Sequence, residues 1–208
     1  MSVEARGEIG LWLVVGFAVV ALFLRAAYHR WRFGSTGLVG LRPGAPPLEV
    51  ANGVALFAGL LALGGAAALQ ASGDLSPVDP LRGEGAAVAG LLLAGAGIAG
   101  TVWAQLAMGS SWRVGVDPAE RTDLVTTGPF CWVRNPIFTS MLAFAVGLAL
   151  LAPNVLSIAA AAVTLLAIEV QVRRVEEPYL GRTHGHGYAA WAERTGRFLP
   201  GLGRLLAR

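Results

Sequence analysis

Two short stretches of this chain gather the side chains able to do chemistry. The first runs Thr122-Asp123-Leu124-Val125-Thr126-Thr127-Gly128-Pro129-Phe130-Cys131-Trp132-Val133-Arg134-Asn135-Pro136-Ile137-Phe138. Gly128-Pro129 is a turn signal, and Pro136 opens a helix where its missing N–H costs little. The first amides of a helix have no partner within it and can hold an anion or a polar ligand. Phe130, Trp132 and Phe138 surround that start and are suited to stacking on a planar ring, or to an interfacial aromatic belt. The second stretch runs Gln171-Val172-Arg173-Arg174-Val175-Glu176-Glu177-Pro178-Tyr179-Leu180. Two guanidiniums and two carboxylates stand together there, and Arg173 and Glu177 have the spacing of a helical ion pair. Carboxylates of this kind serve as acid and base, or simply end a span as a solvated cluster. His184 and His186 alternate with glycines without a third ligand at a typical spacing, so they read as a turn rather than a metal site.

The elements that position these stretches are membrane helices. Of the 208 residues, 55% are hydrophobic and 14% charged, well below the charge of a soluble domain. The mean hydropathy is +0.60. Crossing a bilayer takes about 20 mainly apolar residues as a helix, because backbone amides in lipid must be bonded internally. Five segments meet this, roughly Ile9–Ala27, Leu48–Ala71, Ala86–Met108, Ile137–Ala152 and Val155–Val172. Only Pro153-Asn154 parts the last two, which predicts a tight helical hairpin with Asn154 capping the second helix. Small residues such as Gly90, Ala94, Gly97 and Gly100 let helices approach closely. The fold class expected is all-α, a polytopic membrane bundle of about five helices forming one domain over 1–208. A helical C-terminal segment from about Arg173 packs beneath it and stops at Phe198-Leu199-Pro200.

All sixteen basic residues are Arg, and their placement orients the chain. Arg25, Arg30, Arg32 and Arg42 follow the first span, Arg113, Arg121 and Arg134 the third, and seven more the fifth; the loop after the second is acidic. The positive-inside rule then sets the N-terminus outside and the C-terminus, with both chemical stretches, in the cytoplasm. That placement accounts for the basic pI, about 9.7, without nucleic acid, since no basic patch is interleaved with exposed aromatics. The lone Cys131 excludes an intrachain disulfide. The N-terminal apolar run lacks a signal peptide's positive start and cleavage site, and reads as a retained helix.

Taken together, the two stretches resemble the isoprenylcysteine carboxyl methyltransferase and phospholipid methyltransferase-like membrane proteins. That family's signature is a Gly-Pro-aromatic turn, Arg-His-Pro-x-Tyr opening a helix, then Glu-Glu-x-x-Leu and Phe-Gly-x-x-Tyr. Here these read Gly128-Pro129-Phe130, Arg134-Asn135-Pro136-Ile137-Phe138, Glu176-Glu177-Pro178-Tyr179-Leu180 and His184-Gly185-His186-Gly187-Tyr188, with Trp191 beyond and a close at Pro200. The resemblance covers roughly residues 100 to 200. It implies S-adenosylmethionine as methyl donor and a lipophilic substrate entering from the bilayer. It implies cofactor contacts from Thr122, Leu124, Val125 and Phe130, from Arg134, Asn135, Pro136, Ile137 and Phe138, and from Glu176. Glu177 is implied beside it as a catalytic carboxylate. The family's substrate-handling arginine falls on Val172, so Arg173 or Arg174 stands in for it. Asn135 replaces the family His and Phe138 the family Tyr; Asn cannot titrate near neutral pH. Two other readings stay open on the residues alone: an NADPH-dependent reductase of sterol-reductase-like build, and a non-enzymatic membrane scaffold or transport subunit.

Overall fold

The structure is a computed structural model that describes residues 1–38, 46–115 and 123–205. Arg42, Arg121, Thr122 and Arg208 of the sequence reading lie outside the described residues. Helix α1 (Val3–Ala18) starts from Ser2, whose hydroxyl accepts from the Ala5 amide. It runs through a π-helical segment, Val19–Leu24, into α2 (Arg25–Phe33), and ends at Gly34 in the left-handed conformation, φ 82°. Helix α3 (Pro47–Ala71) begins on a proline, and α4 (Glu84–Met108) follows an acidic loop. Next come a 3-10 turn at Gly128–Cys131, α5 (Pro136–Leu151) and α6 (Val155–Val170). A second π-helical segment, Gln171–Glu176, leads directly into α7 (Glu177–Arg194).

Among the described residues, four helical stretches, Val3–Phe33, Pro47–Ala71, Glu84–Ser111 and Val155–Arg194, are long and apolar enough to cross a membrane; α5 is a shorter apolar helix. At about 1.5 Å per residue, its 16 residues make a span of about 24 Å. The chain is an integral membrane helical bundle. Its outer surface carries Phe23, Leu92 and Leu166, each about two-thirds exposed (69%, 68% and 66%). Side chains of that size in water would cost too much to leave uncovered, and lipid is the solvent they fit.

The bundle closes on a core of Val14, Phe17, Leu63, Phe144, Leu148 and Ala160, with the Phe17 and Phe144 rings stacked at 4.4 Å. Helices α4 and α5 pack backbone to backbone. A Cβ on Gly90 would sit 2.6 Å from the Gly147 carbonyl oxygen, and one on Gly97 2.6 Å from the Phe144 nitrogen. The expected hairpin forms: the Asn154 side chain accepts from the Ser157 amide in a capping box, and its amide donates to the Ala66 carbonyl and Gln70 Oε1.

Two expectations need correction. Arg25, Arg30 and Arg32 are not loop residues, because the first helix continues to Phe33. Arg25 is 5% exposed, donates to the Gln105 and Gly109 carbonyls and lies 4.4 Å over the Trp112 ring. Carbonyls left over at the end of α4 and the aromatic face offset the cost of burying its charge. The tail after Val172 is likewise no separate helix at first. The fifth span extends to a kink at Gly185 (φ 50°, ψ −123°) and on to Arg194.

Candidate active site

Both stretches that the sequence marked as chemical gather at one end of the bundle. The Gly128–Pro129 turn lies beside the end of α4, and a Cβ on Gly128 would meet the Ala107 side chain at 3.5 Å. Gly128 takes φ 60°, a conformation that an L side chain rarely adopts. The turn buries Phe130, which packs with Tyr188, Trp191 and Ala192 of α7; Leu124, Val125, Leu180, Ala107 and Met108 close around them. The Trp191 indole N–H donates to the Phe130 carbonyl at 3.2 Å. Leu124, Val125 and Phe130 thus line one aromatic wall with the C-terminal helix.

Below this wall lies a buried charge cluster. Arg134 is 4% exposed. Its guanidinium donates to the carbonyls of Ala192 (3.0 Å), Thr195 (2.5 Å) and Gly203 (3.0 Å), and to Glu177 Oε1 at 2.7 Å. Arg197 grips both oxygens of the same carboxylate, through Nε at 2.8 Å and Nη2 at 2.9 Å. Its hydrogen bonds to that carboxylate hold the Arg197 guanidinium above its ordinary value. Charge-assisted, bidentate pairs of this kind are the strong ones. Residues 195–205 consequently form a strap laid across the start of α5. Val133 and Gly196 make a parallel bridge, the Arg134 amide donates to Gly196 O at 2.7 Å, and Thr139 Oγ1 donates to Phe198 O at 2.9 Å.

This geometry redistributes the roles expected from the sequence. Asn135 is buried at 7% exposure and donates both its amide N–H and its Nδ2 to the Arg197 carbonyl at 3.2 Å. It tethers the strap. Pro136 is buried as the first residue of α5, while Ile137 and Phe138 are half-buried. Glu177 does not pair with Arg173, as their spacing suggested. Arg173 reaches back to Glu169 instead. The intervening π segment changes the phase of the helix, and two guanidiniums from elsewhere in the chain capture Glu177. With three N–H groups on its carboxylate, Glu177 has little capacity left for a base's work. Arg173 and Arg174 are both exposed. Glu176 lies one residue before this clamp. Gln171 Nε2 donates to its Oε1 at 3.4 Å, Arg113 is close enough to attract the carboxylate, and among the described residues no donor reaches Oε2. The buried His184 Nε2 also has no hydrogen-bond partner among the described residues, and neither does the Tyr188 hydroxyl. On the outer side, Gly100, Trp103, Pro129, Trp132, Pro136 and Ser140 line a groove of about 160 Å³ between α4 and the start of α5.

Sequence alone assigned no role to Gln171, at the head of the second stretch, or to Arg197 in the tail, and Asn52 was not among its candidates. Asn52 is buried in α3 and donates to Gln171 Oε1 at 2.9 Å. An amide in an apolar helix is itself a signal, since polar groups at membrane depth need partners.

Residues 86–187 match the phospholipid methyltransferase family. A search of curated proteins finds no significant match. Among solved structures the chain is similar to the eukaryotic intramembrane Ras methyltransferase, isoprenylcysteine carboxyl methyltransferase. The TM-score is 0.58 at 20% identity, over 95% of this chain and 69% of that one.

Proposed function

With residues 86–187 matching the phospholipid methyltransferase family, we propose that this membrane protein transfers a methyl group from S-adenosylmethionine to a lipophilic acceptor. The observation that carries the reading is convergence. The Gly-Pro turn and the Glu-Glu segment, about 45 residues apart in sequence, meet at one end of the bundle, against an aromatic wall and under a strap. The residues fit such a cofactor. Glu176 has an oxygen without a donor among the described residues, suited to a ribose hydroxyl or an amine. The apolar wall of Leu124, Val125, Phe130 and Trp191 suits an adenine ring.

When bound, the cofactor supplies a methyl group already activated on a sulfonium. The chain has then to align an acceptor and exclude water. Glu176 holds the donor and the aromatic wall orients it, while the strap, fastened by Arg134, Glu177 and Arg197, shuts out solvent. A carboxylate acceptor needs no base, and the exposed Arg173 or Arg174 at the end of the apolar span meets a polar head group at that depth. The positive-inside rule puts this end of the bundle in the cytoplasm.

Calorimetry with S-adenosylhomocysteine on the detergent-solubilised protein tests the reading. Binding is expected, and Glu176→Ala should weaken it by about 1.5–3 kcal/mol, the worth of a hydrogen bond to a charged group. Binding of NADPH without S-adenosylhomocysteine would overturn the proposal in favour of a reductase.

A further inference from the structure

The family match begins at residue 86, yet one contact to the site comes from well before it. Asn52, near the start of α3, is 6% exposed. Its Nδ2 donates to Gln171 Oε1 at 2.9 Å, and Gln171 Nε2 in turn donates to Glu176 Oε1 at 3.4 Å. The amide of Gln171 is thereby polarised in one direction, carbonyl toward Asn52 and N–H toward the carboxylate.

The backbone makes this chain of bonds possible. Gln171 and Glu176 are the first and last residues of the π-helical segment, five positions apart. In an α-helix two such residues point about 140° apart around the axis. A π turn bonds residue i to i+5 and brings the two toward one face. The π segment therefore sets Gln171 beneath Glu176, where the same sequence in an α-helix would point the two apart.

A comparable buried pair sits at the opposite end of the bundle and shows what a purely structural arrangement looks like. There Asn154 donates to Gln70 Oε1 and to the Ala66 carbonyl, and Gln70 donates to the Val3 carbonyl. That network ends on backbone. The Asn52–Gln171 chain ends on a carboxylate, one of whose oxygens it occupies while no donor among the described residues reaches the other.

We propose that Asn52 and Gln171 are positioning residues for Glu176, fixing its Oε1 so that Oε2 faces the cofactor. The inference rests on the proposed methyltransferase reading and deepens it. It makes α3, outside the matched segment, part of the machinery that sets donor affinity.

Asn52→Asp is the informative change, because it keeps the shape and replaces the donor with an acceptor. The Gln171 amide then turns its N–H toward the introduced carboxylate and its carbonyl toward Glu176, which repels that side chain. S-adenosylhomocysteine affinity of the full-length protein should fall about tenfold, the scale of one displaced charged hydrogen bond. With Gln171→Leu it should fall similarly. In a Glu176→Gln background, Asn52→Asp should cost nothing further, whereas a merely structural role would carry its loss into that background unchanged. A second readout needs no ligand. The Glu176 carboxyl ¹³C signal, assigned by its disappearance in Glu176→Gln, should shift in Asn52→Asp. An unshifted signal, or equal losses with and without Glu176, would overturn the positioning role. Absence of S-adenosylhomocysteine binding in the unmutated protein would instead sink the methyltransferase reading, with the carboxyl signal still deciding the contact.

Discussion

Replacing Glu177 with Gln should open the C-terminal strap. The Glu177 carboxylate takes one N–H from Arg134 at 2.7 Å and two from Arg197 at 2.8 and 2.9 Å. The three side chains are 12%, 1% and 11% exposed, in the order Glu177, Arg134, Arg197. In Glu177→Gln the negative charge is lost, and the new amide presents N–H groups to a guanidinium that offers only N–H groups. Removing one partner of a buried pair costs about 3–5 kcal/mol, because the other charge stays buried uncompensated. Arg134 keeps its three carbonyl acceptors, so the lower end, about 3 kcal/mol, applies. Relief comes by local release of residues 195–205 and not by unfolding of the apolar bundle. About 3 kcal/mol raises the open population by roughly two orders of magnitude. When opening is fast relative to cleavage, proteolysis follows that population. Trypsin should therefore cut after Arg197 roughly a hundred times faster in Glu177→Gln, read by intact mass in detergent. Glu193→Gln, exposed on the same helix, should change nothing. A change of less than about threefold would refute the clamp and return Glu177 to the candidate bases.

Other outcomes follow from the same structure. Gly90→Val should lower the thermal unfolding midpoint of the solubilised protein, since its Cβ would meet the Gly147 carbonyl; overpacking of this kind costs about 1–3 kcal/mol. Trp191→Phe keeps the aromatic wall and removes the hydrogen bond to Phe130, so it should cost about 1 kcal/mol of stability, read by the same melt. Arg173→Lys preserves a charge opposite Glu169, and with Arg174→Lys it should leave S-adenosylhomocysteine affinity unchanged. Loss of turnover in one of them marks the arginine that holds the acceptor, because Lys lacks the planar fork; full turnover in both makes them orientation anchors. Reporter fusions at Ser76 and at the C-terminal end should report opposite sides of the membrane, the latter cytoplasmic.

The apolar runs alone were enough to define the bundle, because in lipid the backbone leaves a chain of this hydropathy little choice but helix. The Pro153-Asn154 hairpin and the small residues of α4 were readable for the same local reason: a cap, a proline or a missing Cβ acts on its immediate neighbours. The two motif segments were visible as well, being contiguous in sequence. What sequence could not assign was the partner of each polar group. The spacing of Arg173 and Glu177 promised an ion pair, yet a π turn between them altered the phase and Arg197, 20 residues on, took the carboxylate. Asn135 looked like a substitute for a site histidine and is instead tied to the strap. Asn52 carried no signal of its own among the motifs, and its meaning depends on Gln171, 119 residues away. Helix formation in a membrane is decided residue by residue, whereas buried charges and amides are satisfied by whichever donor or acceptor the packed bundle brings within about 3 Å, and only the tertiary structure decides which that is.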